Sequence, residues 1–331
     1  MSLTERNIIH AIRYFAFFNY APTGDEIYSF LKTKAFKRHF TGILDLMIKK
    51  SLVVTIYNDQ FPITNKIRNF QYANPELNKN LILDIRNYSQ DNYIRYTLPE
   101  YSNKVKSQKS KVKLSQEKIR KIERYVKLLS LFPQIKLVGL SGTVAMMDAE
   151  EDDDIDLFII TAGKRLFTGR FIALTLAQFF NLRRKRITDH QLRIKAKNKV
   201  CLNLFFDESD MLIPKRKRTE YVAHEVLQMK PVVVRGDVYD RFLKANGWVF
   251  DIFPNSKLKI KIQKSKLQFK IQNFKFLFVI LHLLADGIEL LLKGLQLSII
   301  RKHQTKELIT PTQLWFHPKD FGEKMDYTSF Q

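Results

Sequence analysis

Two spacings of apolar residues alternate along this chain and divide it into predicted elements. Ile8, Ile12 and Phe15 recur at helical spacing, a turn follows at Ala21-Pro22-Thr23-Gly24, and a second helix is predicted over 25–31. Phe40, Ile43, Leu44 and Met47 place a third helix over 36–50, and the stretch SLVVTIYNDQFPITNKI after it reads as a hairpin. Three helices and a hairpin make the order of a winged helix, expected over residues 1–98. Lys37, Arg38 and His39 would offer cations to DNA from the third helix, with docking of a protein or presentation of a substrate as the alternative use. The segment VKSQKSKVKLSQEK is basic and carries no apolar period, so residues 99–116 are expected to be an exposed linker.

The period returns with Ile122, Val126, Leu129 and Phe132, then shortens to a strand over 135–140. Further strands are predicted over 154–160 and 200–206, with helices over 166–182 and 219–229, in a unit spanning 117–255. Residues 256–331 form the remaining, helical extension: 257–270 is basic and alternating, and 276–285 is strongly apolar until Asp286, Gly287 and Glu289 interrupt it. Those carboxylates make insertion across a membrane costly, so the segment is expected to pack on the protein. Its Leu-rich continuation over 288–300, lying on an acidic membrane surface or pairing with a partner chain, is the alternative.

The candidate chemistry sits in LSGTVAMMDAEEDDDIDLFIIT. Asp154 and Asp156 are two positions apart at the start of a strand, so both point to one face. Two carboxylates held that close repel unless a cation or basic partner neutralises them, and Mg²⁺ accepts one or two carboxylates while leaving positions for water and phosphate. Upstream, Gly142 permits close backbone approach, and Ser141 and Thr143 supply hydroxyls that can bond a phosphate oxygen.

Gly142-Thr143, a ten-residue spacer and Asp154-Ile155-Asp156 resemble the signature of the DNA polymerase beta-like nucleotidyltransferases, with Thr143 in place of the usual Ser or Gly. The opening IRYFAFFNYAPTGDEIYSFL, the segment from Leu204, the run YVAHEVLQMKPVVVRGDVYDRFLKANGW and the late FHPKDF resemble nucleotidyltransferase-domain proteins of small-genome bacteria. The resemblance implies an α+β fold: a mixed sheet with helices on one side, carrying the winged-helix-like unit before it. It implies that Asp154 and Asp156 bind Mg²⁺ or Mn²⁺ and that Ser141, Gly142 and Thr143 hold the triphosphate of a nucleoside triphosphate substrate. A third carboxylate is expected on a neighbouring strand, and the residue standing there is Asn203, which can ligate a cation through its carbonyl oxygen but cannot act as a base. Either the metal site is weakened, or Asp207 or Glu208 substitutes from the strand's end. The implied reaction transfers a nucleoside monophosphate to an acceptor hydroxyl, and a catalytically degenerate nucleic-acid-binding or regulatory protein is the alternative.

Composition adds bounds. The 56 Lys and Arg against 33 Asp and Glu give a net charge of +23, which favours polyanionic partners; a nucleic acid, a protein side chain and a small molecule all stand as acceptors, and the charge tilts toward nucleic acid. The quartets at 183–186 and 215–218 read either as backbone-tracking cations or as solvated turns. His224 and Glu225 diverge on a helix and are not expected to pair on a metal, and His224 reads as a structural histidine. The single cysteine, Cys201, is expected in the core, which excludes an internal disulfide or a cysteine-based zinc cluster. A reducing cytoplasm fits that usage, no secretory signal is evident at MSLTERNIIHAIRYF, and the mature chain is expected to begin there.

Overall fold

The computed structural model describes residues 1–56, 81–82, 94–103, 108–184, 197–256, 275–302, 304 and 307–316. Helices α1 (Leu3–Phe17), α2 (Gly24–Ser29) and α3 (Lys37–Lys49) follow the predicted order. Ser2 and Thr23 each accept from the amide three residues on while Glu5 and Glu26 reach back, so α1 and α2 start from capping boxes. Strand β1 (Val54–Ile56) pairs antiparallel with β3 (Arg95–Thr97). The return strand of the hairpin expected over 51–67 lies outside the described residues.

Among the described residues the centre of the molecule is a mixed sheet of seven strands. They are β2 (Leu81–Ile82), β4 (Ile135–Leu140), β5 (Ile155–Thr161), β6 (Val200–Asp207), β7 (Lys230–Val234), β8 (Leu308–Ile309) and β9 (Gln313–Trp315). Their spatial order is β2-β7-β4-β5-β6-β9-β8, with β5 and β6 parallel and the other neighbours antiparallel. The sheet thus draws β2 from the expected first unit and β8 and β9 from the expected extension.

Both sides of β5 are apolar beyond Asp156, and a strand of that kind needs cover on both faces. The one-sided helical cover expected from the sequence is therefore corrected. Ile155, Leu157 and Ile159 pack toward α4 (Gln108–Leu129) and α6 (Leu166–Phe179). Phe158 and Ile160 pack toward α7 (Glu220–Gln228), α8 (Val238–Ala245) and α9 (Trp248–Ile252). The N-terminal unit docks on this second side. The buried His224 ring of α7 stacks on Tyr14 with 3.5 Å between centroids and also lies against Phe30, and burial holds its pKa well below the ordinary histidine range. A neutral, structural histidine is the result.

The interrupted apolar segment near the C-terminus is one continuous helix, α10 (Lys275–Arg301), packed against α6. Its carboxylates have a local reason. No side chain at the start of α6 caps that helix, and Glu289 supplies the cap from α10, accepting from the amides of Phe167 and Thr168 at 2.8 and 2.7 Å. Asp286 pairs with Arg165 beside it. No described helix is long and apolar enough to cross a membrane.

A second difference concerns the expected linker, whose residues from 108 onward form the first turns of α4. The weak apolar period there misleads because, beside Val112, the buried positions are polar: Lys111, Ser115 and Lys118. Lys118 is 1% exposed, and its ammonium donates to the carbonyls of Asp153 at 2.6 Å and Glu151 at 3.0 Å and to Asn198 Oδ1 at 3.3 Å. Ser115 Oγ accepts from the Ala149 amide at 3.0 Å, and Lys111 pairs with Asp148 and Glu150. These contacts fix the acidic loop that leads into β5. Lys118→Met strips three acceptors of their donor, so it should lower the unfolding free energy by about 1–3 kcal/mol in urea titrations, whereas Lys121→Met at an exposed position of the same helix should stay within about 0.5 kcal/mol.

Candidate functional site

The site lies where β4 ends and β5 begins. Strand β4 runs into Ser141, whose amide donates to the Asp156 carbonyl at 3.1 Å, and the chain then turns into the short helix α5 (Gly142–Ala145). Gly142 has a φ of +64°, a left-handed conformation that glycine adopts without strain. A Cβ on it would also stand 2.7 Å from Asp156 Oδ2, so the turn requires glycine on two counts. The small-residue turn thus meets Asp156.

Asp154 and Asp156 are both half-buried, and a carboxylate oxygen of each lies within 4.8 Å of the other and of Cys201 Sγ. Burial pushes the Asp156 carboxyl well above the ordinary carboxylate range, and the charge of Asp154 pushes the same way, with Cys201 and Arg184 opposing. Arg184 Nη1 donates to Asp154 Oδ2 and to Cys201 Sγ, the latter at 3.3 Å. The basic partner that the aspartate pair demands is therefore in the chain itself, in one of the two arginine-lysine quartets. Lys185 and Arg186 lie outside the described residues.

The third ligand differs from expectation. In the parallel pairing of β5 with β6, Asp156 stands beside Cys201, and the next pair is Phe158 with Leu204, so β6 carries an extra residue at that step. Cys201, rather than Asn203, thereby faces the aspartates, while the Asn203 amide donates to Cys201 Sγ at 2.6 Å. The expected ligand Asn203 acts on the sulfur from behind. Burial and the two aspartates push the Cys201 thiol up. Asp207 and Glu208 do not substitute, because they sit at the far end of β6. Asp207 accepts from Ser209 and the Arg165 amide, and Glu208 pairs with Arg241.

Two of the three phosphate-binding groups expected from the sequence have carboxylate partners. Thr143 Oγ1 donates to Asp153 Oδ2 at 2.8 Å, and the Gly142 amide donates to Glu225 on α7. Burial pushes the Glu225 carboxyl up to about 7, with the Gly142 amide and the Tyr221 hydroxyl opposing. Glu225 is a site residue that the sequence reading set aside, since nothing in the spacing of α7 aims it at a turn eighty residues away. His317 and Asp320 of FHPKDF lie outside the described residues.

This donor set fits a divalent cation. Two carboxylates converge, glycine leaves room beside one of them, and a guanidinium occupies the position between Asp154 and Cys201 as a cationic stand-in. No protein-family model, curated protein or solved structure gives a significant match to the chain.

Two measurements probe this geometry. Gly142→Ala forces a left-handed alanine and a clash with Asp156, so unfolding should cost at least about 1–2 kcal/mol less than in the wild type by chemical denaturation. The second concerns Glu225. Below the ordinary glutamate value of 4.5 its carboxyl is protonated folded and unfolded; as pH rises toward about 7 only the unfolded state ionises, and stability is lost across that window. Glu225→Gln should therefore gain stability relative to the wild type as pH rises from 4.5 to about 7, read as the change in the difference between their urea midpoints.

Proposed function

We propose that this chain is a metal-dependent nucleotidyltransferase built on a polymerase-beta-like core with a winged-helix-like N-terminal unit. The observation that carries this reading is the apposition of the Gly142 turn and the Asp154–Asp156 pair, so close that a side chain on Gly142 would collide with Asp156 Oδ2. Such a pairing suits a nucleoside triphosphate bound together with its cation. A divalent cation, once bound, would neutralise charge on the phosphates and polarise the α-phosphorus.

The chain's own residues then act by exchange. Asp154 and Asp156 would hold the cation in place of the Arg184 guanidinium. The Gly142 amide and Thr143 hydroxyl pass from Glu225 and Asp153 to phosphate oxygens, and Ser141 adds its hydroxyl at the start of the turn. An acceptor hydroxyl on a nucleic acid or a protein attacks the α-phosphorus and gives its proton to solvent, forming the new P–O bond as the bond to pyrophosphate breaks. Alignment and charge neutralisation supply the rate enhancement. Exposed Lys37, Arg38 and His39 at the start of α3 support a polyanionic acceptor, as does the net charge of +23.

One observation favours a second reading, a degenerate nucleic-acid-binding protein: Cys201 stands beside Asp156 where a third carboxylate is expected. Incubation of the purified chain with each of four α-labelled nucleoside triphosphates, divalent cations and candidate acceptors separates the two. Label transfer, onto an acceptor or the chain itself, should occur with the wild type and fall to background in the Asp154→Ala, Asp156→Ala double variant. Absence of any transfer that depends on these aspartates would rule out the enzyme and leave the binding protein.

A further inference from the structure

Cys201 is the only cysteine in the sequence, and its Sγ shares a 4.8 Å cluster with one oxygen each of Asp154 and Asp156. Two hard oxygen donors and one soft sulfur make a mixed set. Mg²⁺ takes oxygen ligands in a near-octahedral shell, whereas Zn²⁺ and Co²⁺ accept carboxylate and thiolate together. Three protein donors with a fourth position open is also the arrangement in which zinc keeps a place for water or a substrate oxygen.

Three further features point the same way. Arg184 Nη1 is bonded to both Asp154 Oδ2 and Cys201 Sγ, so a positive group already bridges an oxygen and the sulfur that a metal ion would bridge. The Arg184 side chain is 41% exposed, which leaves it a path to solvent when displaced. The Asn203 amide donates to Sγ, and an N–H bond to sulfur stabilises the thiolate that ligation requires. The pairing of β5 with β6 sets Cys201 beside Asp156, and the extra residue in β6 follows directly after it.

We propose that Asp154, Asp156 and Cys201 form a three-ligand site for a thiophilic divalent cation of the zinc or cobalt class, with Asn203 as a positioning residue on the sulfur. On binding, the Cys201 S–H bond breaks, its electron pair forms the S–metal bond, the proton goes to solvent, and the Arg184 guanidinium leaves the two ligands. This inference rests on the reading of the two aspartates as cation ligands.

The test is Co²⁺ titration of the metal-free full-length chain, read at the thiolate-to-cobalt charge-transfer band in the near ultraviolet. With one cysteine in the sequence, such a band has one source, so the wild type alone decides whether Cys201 is a ligand. The band should appear on titration, disappear when Zn²⁺ is added, and persist in a large excess of Mg²⁺. Cys201→Ser should lose the band while still binding Mn²⁺, followed by loss of the free-ion paramagnetic resonance signal. Asp154→Asn with Asp156→Asn should lose both. Mn²⁺ binding by the wild type with no cobalt band overturns the assignment of Cys201 and leaves the aspartates as cation ligands. Failure of the wild type to bind either ion overturns both.

Discussion

Like charges crowded into one loop must be neutralised before anything else at this site can be placed. Glu150, Glu151, Asp152, Asp153 and Asp154 are consecutive, and the backbone that carries them is held by a lysine ammonium buried beneath it. Lys118 does this through carbonyl oxygens, which leaves the carboxylates free to turn outward, to bond Thr143 or to meet Arg184. Burial draws the Lys118 ammonium below its ordinary range and the charge of Asp153 opposes that shift. The entry of β5, and with it the spacing of Asp154 and Asp156, depends on this arrangement.

The periodic elements were legible from sequence because their buried faces are apolar: α1 to α3, β4, β5, α6 and β6 all lie close to the predicted spans. So was the shared face of Asp154 and Asp156, since strand alternation fixes it whatever the neighbours. The first turns of α4 were not, because beside Val112 their inward positions are lysine and serine, which hydropathy counts as solvent-facing. Nor was the choice of Cys201 over Asn203. Both alternate onto the same face of β6, and only pairing across the sheet, with its irregularity after Asp156, decides which one stands beside the carboxylate. Arg184 and Glu225 reach the site from elements distant in sequence, and no local pattern marks such a meeting.

Hydrogen bonding in this site pairs groups of the chain with one another in the sense opposite to that of a salt-like ligand. Carboxylates occupy the donors of the turn, and a guanidinium occupies the acceptors of the strand. Each half leaves its partner in place of water, which keeps half-buried polar groups satisfied. The same logic holds elsewhere in the molecule. Glu289 closes the bare end of α6 from another helix, and Asn255 of the segment after α9 bonds the N-terminal unit at Ala35 and Thr33.

Strand β9 reaches the sheet from residues 313–315 and lies between β6 and β8, so the chain's late residues complete its interior layering. A protein synthesised only as far as α9 would leave Leu204, Phe205 and Phe206 on an open strand edge, their amides and carbonyls exposed beside aromatic rings. Such an edge recruits other strands. Premature termination or proteolytic clipping before residue 313 is thus a route to self-association of this chain, at a distance from the aspartate pair and independent of its chemistry.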